Sequence, residues 1–170
     1  MPNNCTTVLT LKGDFKHRQE FVDRNKGFEW GDTEKKETYK ELSFHAQVPM
    51  PQKHIASHAK NRSNSDWYGW ANKNWGTKWD CYEEQLNHTD SYTNYIFDTA
   101  WSPPVVWFSK VSRKFPHLEL EIEWGEEGGQ GGKLMFQGGE CFYETNMTDE
   151  QWNSFMGLDE WPEEEGECNE

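Results

Sequence analysis

Leu118, Leu120, Ile122 and Trp124 alternate without a break with Glu119, Glu121 and Glu123. A period of two puts every apolar side chain on one face and every carboxylate on the other, which is the pattern of a half-buried β-strand. Such a strand has to sit in a sheet with one covered side and one side in water. Antiparallel sheets tolerate that asymmetry and parallel ones do not.

The cover is legible as helical periodicity elsewhere. Asp14 can cap a helix running to about Arg24, with Phe15, Phe21 and Val22 as its apolar stripe. Trp67, Trp70, Ala71 and Asn74 recur at three and four, behind Ser65 or Asp66 as cap and ahead of Gly76 as stop. Ser102-Pro103-Pro104 is a strong helix start, a Ser cap with Pro in the first turn, and the spacing predicts a helix over 105–115 with Pro116 ending it. Thr148 and Gln151 form a capping-box pair for a last helix reaching about Met156.

Strands are predicted over Cys5–Lys12, over 42–48 (Leu42, Phe44, Ala46 and Val48 alternate with polar residues), over 77–83 and over 92–101. Lys133–Gln137 and Glu140–Glu144 read as a hairpin across Gly138-Gly139. Residues 25–40 and 52–65 are polar and read as irregular, and GEEGGQGG (125–132) reads as a plain hairpin loop rather than a lid. The order β-α-β-α-β-β-α-β-β-β-α predicts an α+β fold, an antiparallel sheet with helices packed mainly on one face. The stretch from 77 to 124 suits half of a ferredoxin-like sandwich.

Composition decides how such a fold is filled. Only 34% of the 170 residues are hydrophobic, but 10 Trp, 10 Phe and 6 Tyr are present. Each buried ring removes about 150–250 Å² from water, so a small number of rings can carry an aromatic-rich core. The expectation is one domain over 1–158 and an acidic disordered tail over 159–170, where Asp159, Glu160, Glu163, Glu164, Glu165, Glu167 and Glu170 meet no basic residue. A net charge of −13 excludes a generic binder of the phosphate backbone, makes double-stranded DNA an unsuitable partner and disfavours an anionic membrane surface. No apolar run is long enough to span a membrane and no secretory leader precedes the first strand, which points to the cytoplasm. Cys5, Cys81, Cys141 and Cys168 form no CxxC pair, so neither a zinc signature nor a disulfide framework is expected.

MPN at the start, VPMP at 48–51, DWYGWANKNWGTKWD at 66–80, FDTAWSPP at 97–104 and FPHLELEIEW at 115–124 together resemble the Api92-like family of phage proteins. The resemblance covers most of residues 1–132. It implies a YubB-type ferredoxin-like domain and a phage or mobile-element setting, and it carries no reaction with it. Asn4 and Gln130 depart from the aromatic residues the family often has there.

Two segments have the residue types of a binding site. Trp67, Trp70, Trp75 and Trp79 exceed what a small core needs, and Gly76, Thr77 and Lys78 stand among them. Aromatic faces beside one cation and one hydroxyl suit a nucleotide-like ligand: stacking holds the base and charge holds a phosphate. Trp101 and Ser102 lie where a strand enters a helix, whose free N–H groups attract anions. Both segments flank neighbouring strands and are expected to lie together. The candidate ligand-binding set is therefore Trp67, Trp70, Trp75, Thr77, Lys78, Trp79, Trp101 and Ser102. No cofactor is expected.

Catalytic groups are thinly represented. His54 and His58 stand four apart without the further ligands a metal needs. Asp66, Asp80 and Asp98 have no spacing that makes a carboxylate pair, and Cys81 has no assigned base. The sequence therefore favours a non-enzymatic phage accessory protein that sequesters a nucleotide-derived small molecule in counter-defence. The alternatives are an acidic inhibitor of a host defence or DNA-binding protein, presenting Glu119, Glu121 and Glu123 as a DNA mimic, and a single-stranded nucleic acid binder. A homo-oligomer is compatible with each.

Overall fold

The computed structural model describes residues 2–28, 39–60 and 66–157. The elements in chain order are β1 (Asn4–Lys12), α1 (Phe15–Asn25), β2 (Gly27–Phe28), β3 (Tyr39–Lys40), α2 (Phe44–Gln47), α3 (Gln52–Lys60) and α4 (Asp66–Asn74). They continue as β4 (Tyr82–His88), β5 (Thr93–Ala100), α5 (Val105–Lys114), β6 (Glu119–Glu126), β7 (Gln130–Gln137), β8 (Glu140–Asn146) and α6 (Asp149–Phe155). The proposed tail over 159–170, Ser65 as a cap, and most of the polar stretch 25–40 lie outside the described residues.

Six strands form one sheet in the order β4-β5-β1-β6-β7-β8, and every pair is antiparallel. Taken as β1-α1-β4-β5-α5-β6, the chain makes the βαββαβ unit of a ferredoxin-like sandwich, with β1 and β5 at its centre. The hairpin β7–β8 extends that sheet beyond β6, and the stretch from β2 to α4 is inserted between α1 and β4.

The alternation read from the sequence maps onto the two faces. Leu120 and Ile122 are buried on the helix side, in register with Leu11 and Leu9 of β1. Phe21 of α1, Trp107, Phe108 and Val111 of α5, and Tyr95 and Phe97 of β5 complete an aromatic core. Arg18 of α1 is also buried. It donates to the carbonyls of Gly13, Thr89 and Asp90 and to the Thr93 hydroxyl, so its charge is met by oxygens throughout. On the opposite face Glu121 pairs with Lys12, and Glu123 pairs with Lys133 at 2.9 Å.

The last helix departs from the one-sided arrangement of the others. It begins with the capping box read from Thr148 and Gln151. It then crosses the outer face at the far end of β6 and β7, where a Cβ on Gly125 would stand 2.9 Å from Phe155 and Met156. The indole N–H of Trp152 donates to the Glu126 carbonyl there.

Three local expectations are corrected. Residues 44–47 are helical, not a strand. A four-residue alternation is too short to exclude a helical turn, and the Asp80 carboxylate supplies this turn with acceptors from outside the segment. Residues 52–60 form a helix because Ile55 finds a buried place and the helix packs along α4. The strand expected over 77–83 begins at Tyr82 and runs to His88; a bulge at its start puts Glu83 at φ 53°. The stretch 76–81 before it is an irregular loop. The glycine-rich segment is a tight turn at 127–129 whose flanks belong to β6 and β7.

Candidate functional site

Two chain reversals meet at one end of the sheet. The first ends α4. The Trp75 N–H donates to Ala71, and the Gly76 N–H to Ala71 and Asn72. Gly76 takes φ 87°, a left-handed helix ending that glycine enters without penalty. A Cβ there would press on the Val106 and Val105 nitrogens at 3.1 and 3.3 Å, so glycine is also what lets α4 end directly against the start of α5. The Trp75 carbonyl accepts the Trp107 N–H at 3.1 Å.

The second reversal joins β5 to α5. Ser102 is not the helix cap that the sequence suggested: Pro104 holds that position without a side-chain bond. The Ser102 hydroxyl instead donates to the Gly76 carbonyl at 3.1 Å, and the Thr77 hydroxyl donates to the Ala100 carbonyl at 3.0 Å. These two bonds lace the reversals together, so the segments 76–80 and 99–104 are neighbours in space.

The eight candidate residues divide by burial. Trp67, Trp75 and Thr77 are buried, and Trp75 donates its indole N–H to the Val48 carbonyl at 2.9 Å. Trp70 is half-buried with its ring edge-on to Trp75 at 5.3 Å. Trp67 and Trp75 belong to the main core cluster, with Trp70 packed against it. Trp101 is exposed, Lys78 and Ser102 are half-buried, and Trp79 is half-buried with part of its ring against the core. The Lys78 ammonium lies 4.4 Å from the centre of the Trp79 ring and 5.1 Å from that of Trp101. The loop conformation over 76–81 folds Lys78 onto the ring of its neighbour Trp79. Among the described residues no carboxylate lies within ion-pair distance of Lys78. Trp101 is 47% exposed and holds φ 67°. A left-handed backbone is costly for a bulky side chain, about 1–2 kcal/mol.

A groove of about 310 Å³ opens beside this cluster. Its inner wall is Pro103, Val105 and Val106 at the start of α5, and its outer wall is Glu144, Thr145 and Asn146 on β8. The floor is Trp124 and Leu134, while Gly76 and Ser102 close the end that leads to Lys78 and Trp101. Gly132 makes room for it. A Cβ there would stand 3.1 Å from the Trp124 indole nitrogen, so the ring lies across the strand toward β8. Sequence reasoning assigned Trp124 to the core through its alternation, and nothing local marked Glu144 and Asn146. The signal that they share a slot is the register, which sets Trp124 opposite Gly132 and Gly132 opposite Asn146.

The other chemical candidates have structural roles. His58 meets Trp67 edge-on at 4.8 Å, and His54 lies 6.4 Å from Trp70. No group of three metal-ligating residues occurs among the described residues. Asp98 accepts the Thr6 hydroxyl at 2.7 Å. Burial pushes the Cys81 thiol well above its usual range, and its Sγ donates to the Leu42 carbonyl. Burial likewise pushes Cys5 up to about 12, so neither buried thiol is a ready nucleophile. Glu84 is raised by burial, against the pull of Lys40, whose ammonium donates to the Cys81 carbonyl. The carboxylate row on β6 is partly neutralised: Lys12 and Lys133 are both held above their usual range by hydrogen bonds to Glu121 and Glu123. No helix among the described residues is long and apolar enough to cross a membrane.

Fold and site together define an α+β ferredoxin-like protein with an aromatic-rich core. The chain belongs to the family whose model is described as the ferredoxin-like domain in Api92-like protein, which matches residues 74–166. That match takes in the two laced reversals and all of the sheet except β1. It leaves MPN, VPMP and the first part of the Trp-rich segment outside. Among solved structures, the protein Api92 from Yersinia pseudotuberculosis is similar at a TM-score of 0.54 and 13% identity, over 66% of this chain and 42% of that one. The likeness is one of fold, and this chain spans 42% of that structure's length. No curated protein matches.

Proposed function

We propose that this chain is a non-enzymatic binding protein that holds a nucleotide-derived small molecule at the Lys78–Trp79–Trp101 surface. The observation that carries this reading is Trp101. It keeps a left-handed backbone and leaves nearly half of its surface in water, with its ring against a lysine that no carboxylate among the described residues neutralises. Backbone strain of this kind persists where surrounding structure enforces it, and it concentrates at ligand sites. Here the enforcement is the Thr77 and Ser102 lacing. Lys78 supplies positive charge for a phosphate in a chain of net charge −13, and the exposed indole supplies an apolar face beside it. In a phage setting, which the sequence motifs resemble, such binding serves counter-defence by sequestering a signal.

The paired state of Glu121 and Glu123 gives less support to a DNA-mimic inhibitor. The test is thermal melting and calorimetry of the purified chain against mononucleotides, cyclic dinucleotides and ADP-ribose derivatives. A ligand at 100 times its Kd adds about 2.7 kcal/mol of stability. Binding that Lys78→Ala and Trp101→Ala each weaken supports the reading. A panel without a single ligand overturns it.

A further inference from the structure

We infer that the groove between α5 and β8 receives the base of that ligand and selects guanine over adenine. The inference rests on the nucleotide reading of the neighbouring Lys78 surface and concerns a different set of residues. The groove is largely apolar: Val105, Val106 and Pro103 line it together with the half-buried Trp124 and the buried Leu134. A slot of about 310 Å³ lies at the lower end of small-ligand sites, a size for a nucleoside rather than a peptide. Among the described residues no cationic side chain lines it, so the phosphate belongs outside, toward Lys78, past Gly76 and Ser102.

The polar chemistry of the slot is one-sided. Glu144 is its one titratable lining group among the described residues, and Asn146 follows two residues along β8. Glu144 is in register with Leu134 and Asn146 with Gly132, so both side chains fall on the helix-side face that Trp124 and Leu134 occupy. Residues two apart on a strand share a face and stand about 6.5–7 Å apart along it. A carboxylate offers acceptors only, and an amide offers donors and an acceptor. Guanine presents two adjacent N–H donors, N1–H and the 2-amino group, beside the O6 acceptor. Both donors can engage the two oxygens of Glu144 while Asn146 donates to O6. Adenine has one amino group on that edge and leaves a carboxylate oxygen without a partner.

The experiment compares guanosine monophosphate, adenosine monophosphate, guanosine and adenosine with the full chain by calorimetry, in the native sequence, Glu144→Gln and Lys78→Ala. Expected is guanine binding on the order of tenfold tighter than adenine, with and without phosphate. Glu144→Gln erases that ratio while leaving adenosine monophosphate bound, because the amide turns a donor toward a donor. Lys78→Ala weakens both monophosphates and leaves the ratio intact. Glu144 is exposed, and an unchanged melting temperature without ligand shows that the variant is folded. Equal affinities for the two bases, or a preference that survives Glu144→Gln, overturn the base assignment and leave nucleotide binding standing. No binding of any of the four compounds overturns the base assignment, and the nucleotide reading falls with it when cyclic dinucleotides and ADP-ribose derivatives do not bind either.

Discussion

The Asp80 carboxylate accepts the backbone N–H of Phe44 at 2.7 Å, across 36 residues of sequence. The same carboxylate accepts the Ser43 hydroxyl at 2.9 Å, the His45 N–H at 3.4 Å and the Cys81 N–H at 2.9 Å. It therefore does for α2 what a local cap does for an ordinary helix, from the loop that also carries Lys78 and Trp79. Asp80 is buried, so each of these bonds forms away from water, where charge-assisted bonds count for more.

Removing that acceptor leaves buried N–H groups without a partner. Asp80→Ala is expected to cost about 2–4 kcal/mol in urea denaturation, and Asp80→Asn less, since one oxygen remains. If Asp80→Ala unfolds at the native midpoint, the carboxylate is not what holds α2.

Trp101 offers a stability test of the opposite sign. Trp101→Gly removes a left-handed non-glycine residue and an exposed ring, so the variant is expected to be as stable as the native chain or up to about 1–2 kcal/mol more stable. Ligand binding is expected to weaken with it. A marked loss of stability would show that the indole is needed by the fold rather than by a ligand.

His45 gives the chain an acid-side sensitivity. Its Nδ1 accepts the Met50 N–H at 3.0 Å, which requires a neutral ring with its proton on Nε2. Burial holds the imidazole below its ordinary value of 6.5, against the upward pull of Asp80. The unfolded chain therefore takes up this proton first. The stability His45 confers is complete above about 6.5 and is lost as pH falls through its lower folded value. Denaturation midpoints measured from pH 8 to pH 5 should fall more steeply for the native chain than for His45→Gln. Parallel curves would remove His45 as the cause.

Gly125 tests the seat of α6. A larger side chain there collides with Phe155 and Met156 on the outer face of the sheet. Gly125→Val is expected to lower stability by about 1–3 kcal/mol, as overpacking does, and to increase amide exchange in α6. Unchanged exchange in α6 would mean that the helix does not depend on this contact.

Much of the architecture is legible in local pattern. The 118–124 alternation, the β-branched run at Cys5–Lys12, the Gly138-Gly139 turn and the Thr148–Gln151 cap all stand where their periods and turn chemistry put them, and α5 starts just after Ser-Pro-Pro although Ser102 does not cap it. Within the segment inserted between α1 and β4, the helix over Asp66–Asn74 stands where its spacing put it, while 42–48, 52–60 and 77–81 do not follow their local pattern. Its helices are short, its caps are borrowed and its apolar positions are few. Its structure therefore depends on partners outside each segment: Asp80, 36 residues on, for α2, and the next helix, α4, for α3.

The candidate site divides in the same way. The sequence by itself determined that indoles, a lysine and a glycine stop cluster near a strand-to-helix entry, because those are statements about composition and adjacency. It also determined which residues share each strand face, because the side-chain period of a strand is fixed by covalent geometry. Only the tertiary structure decided which rings are wet. Trp75 and Trp101 have the same indole, yet one is fully buried against Phe44 and Trp107 and the other stands beside Lys78 in solvent. It also decided that Trp124, Glu144 and Asn146 line one slot, because register between three strands sets that distance and no single strand encodes it. Burial is a property of what packs on a residue, and for this chain the packing comes from segments that lie dozens of positions away.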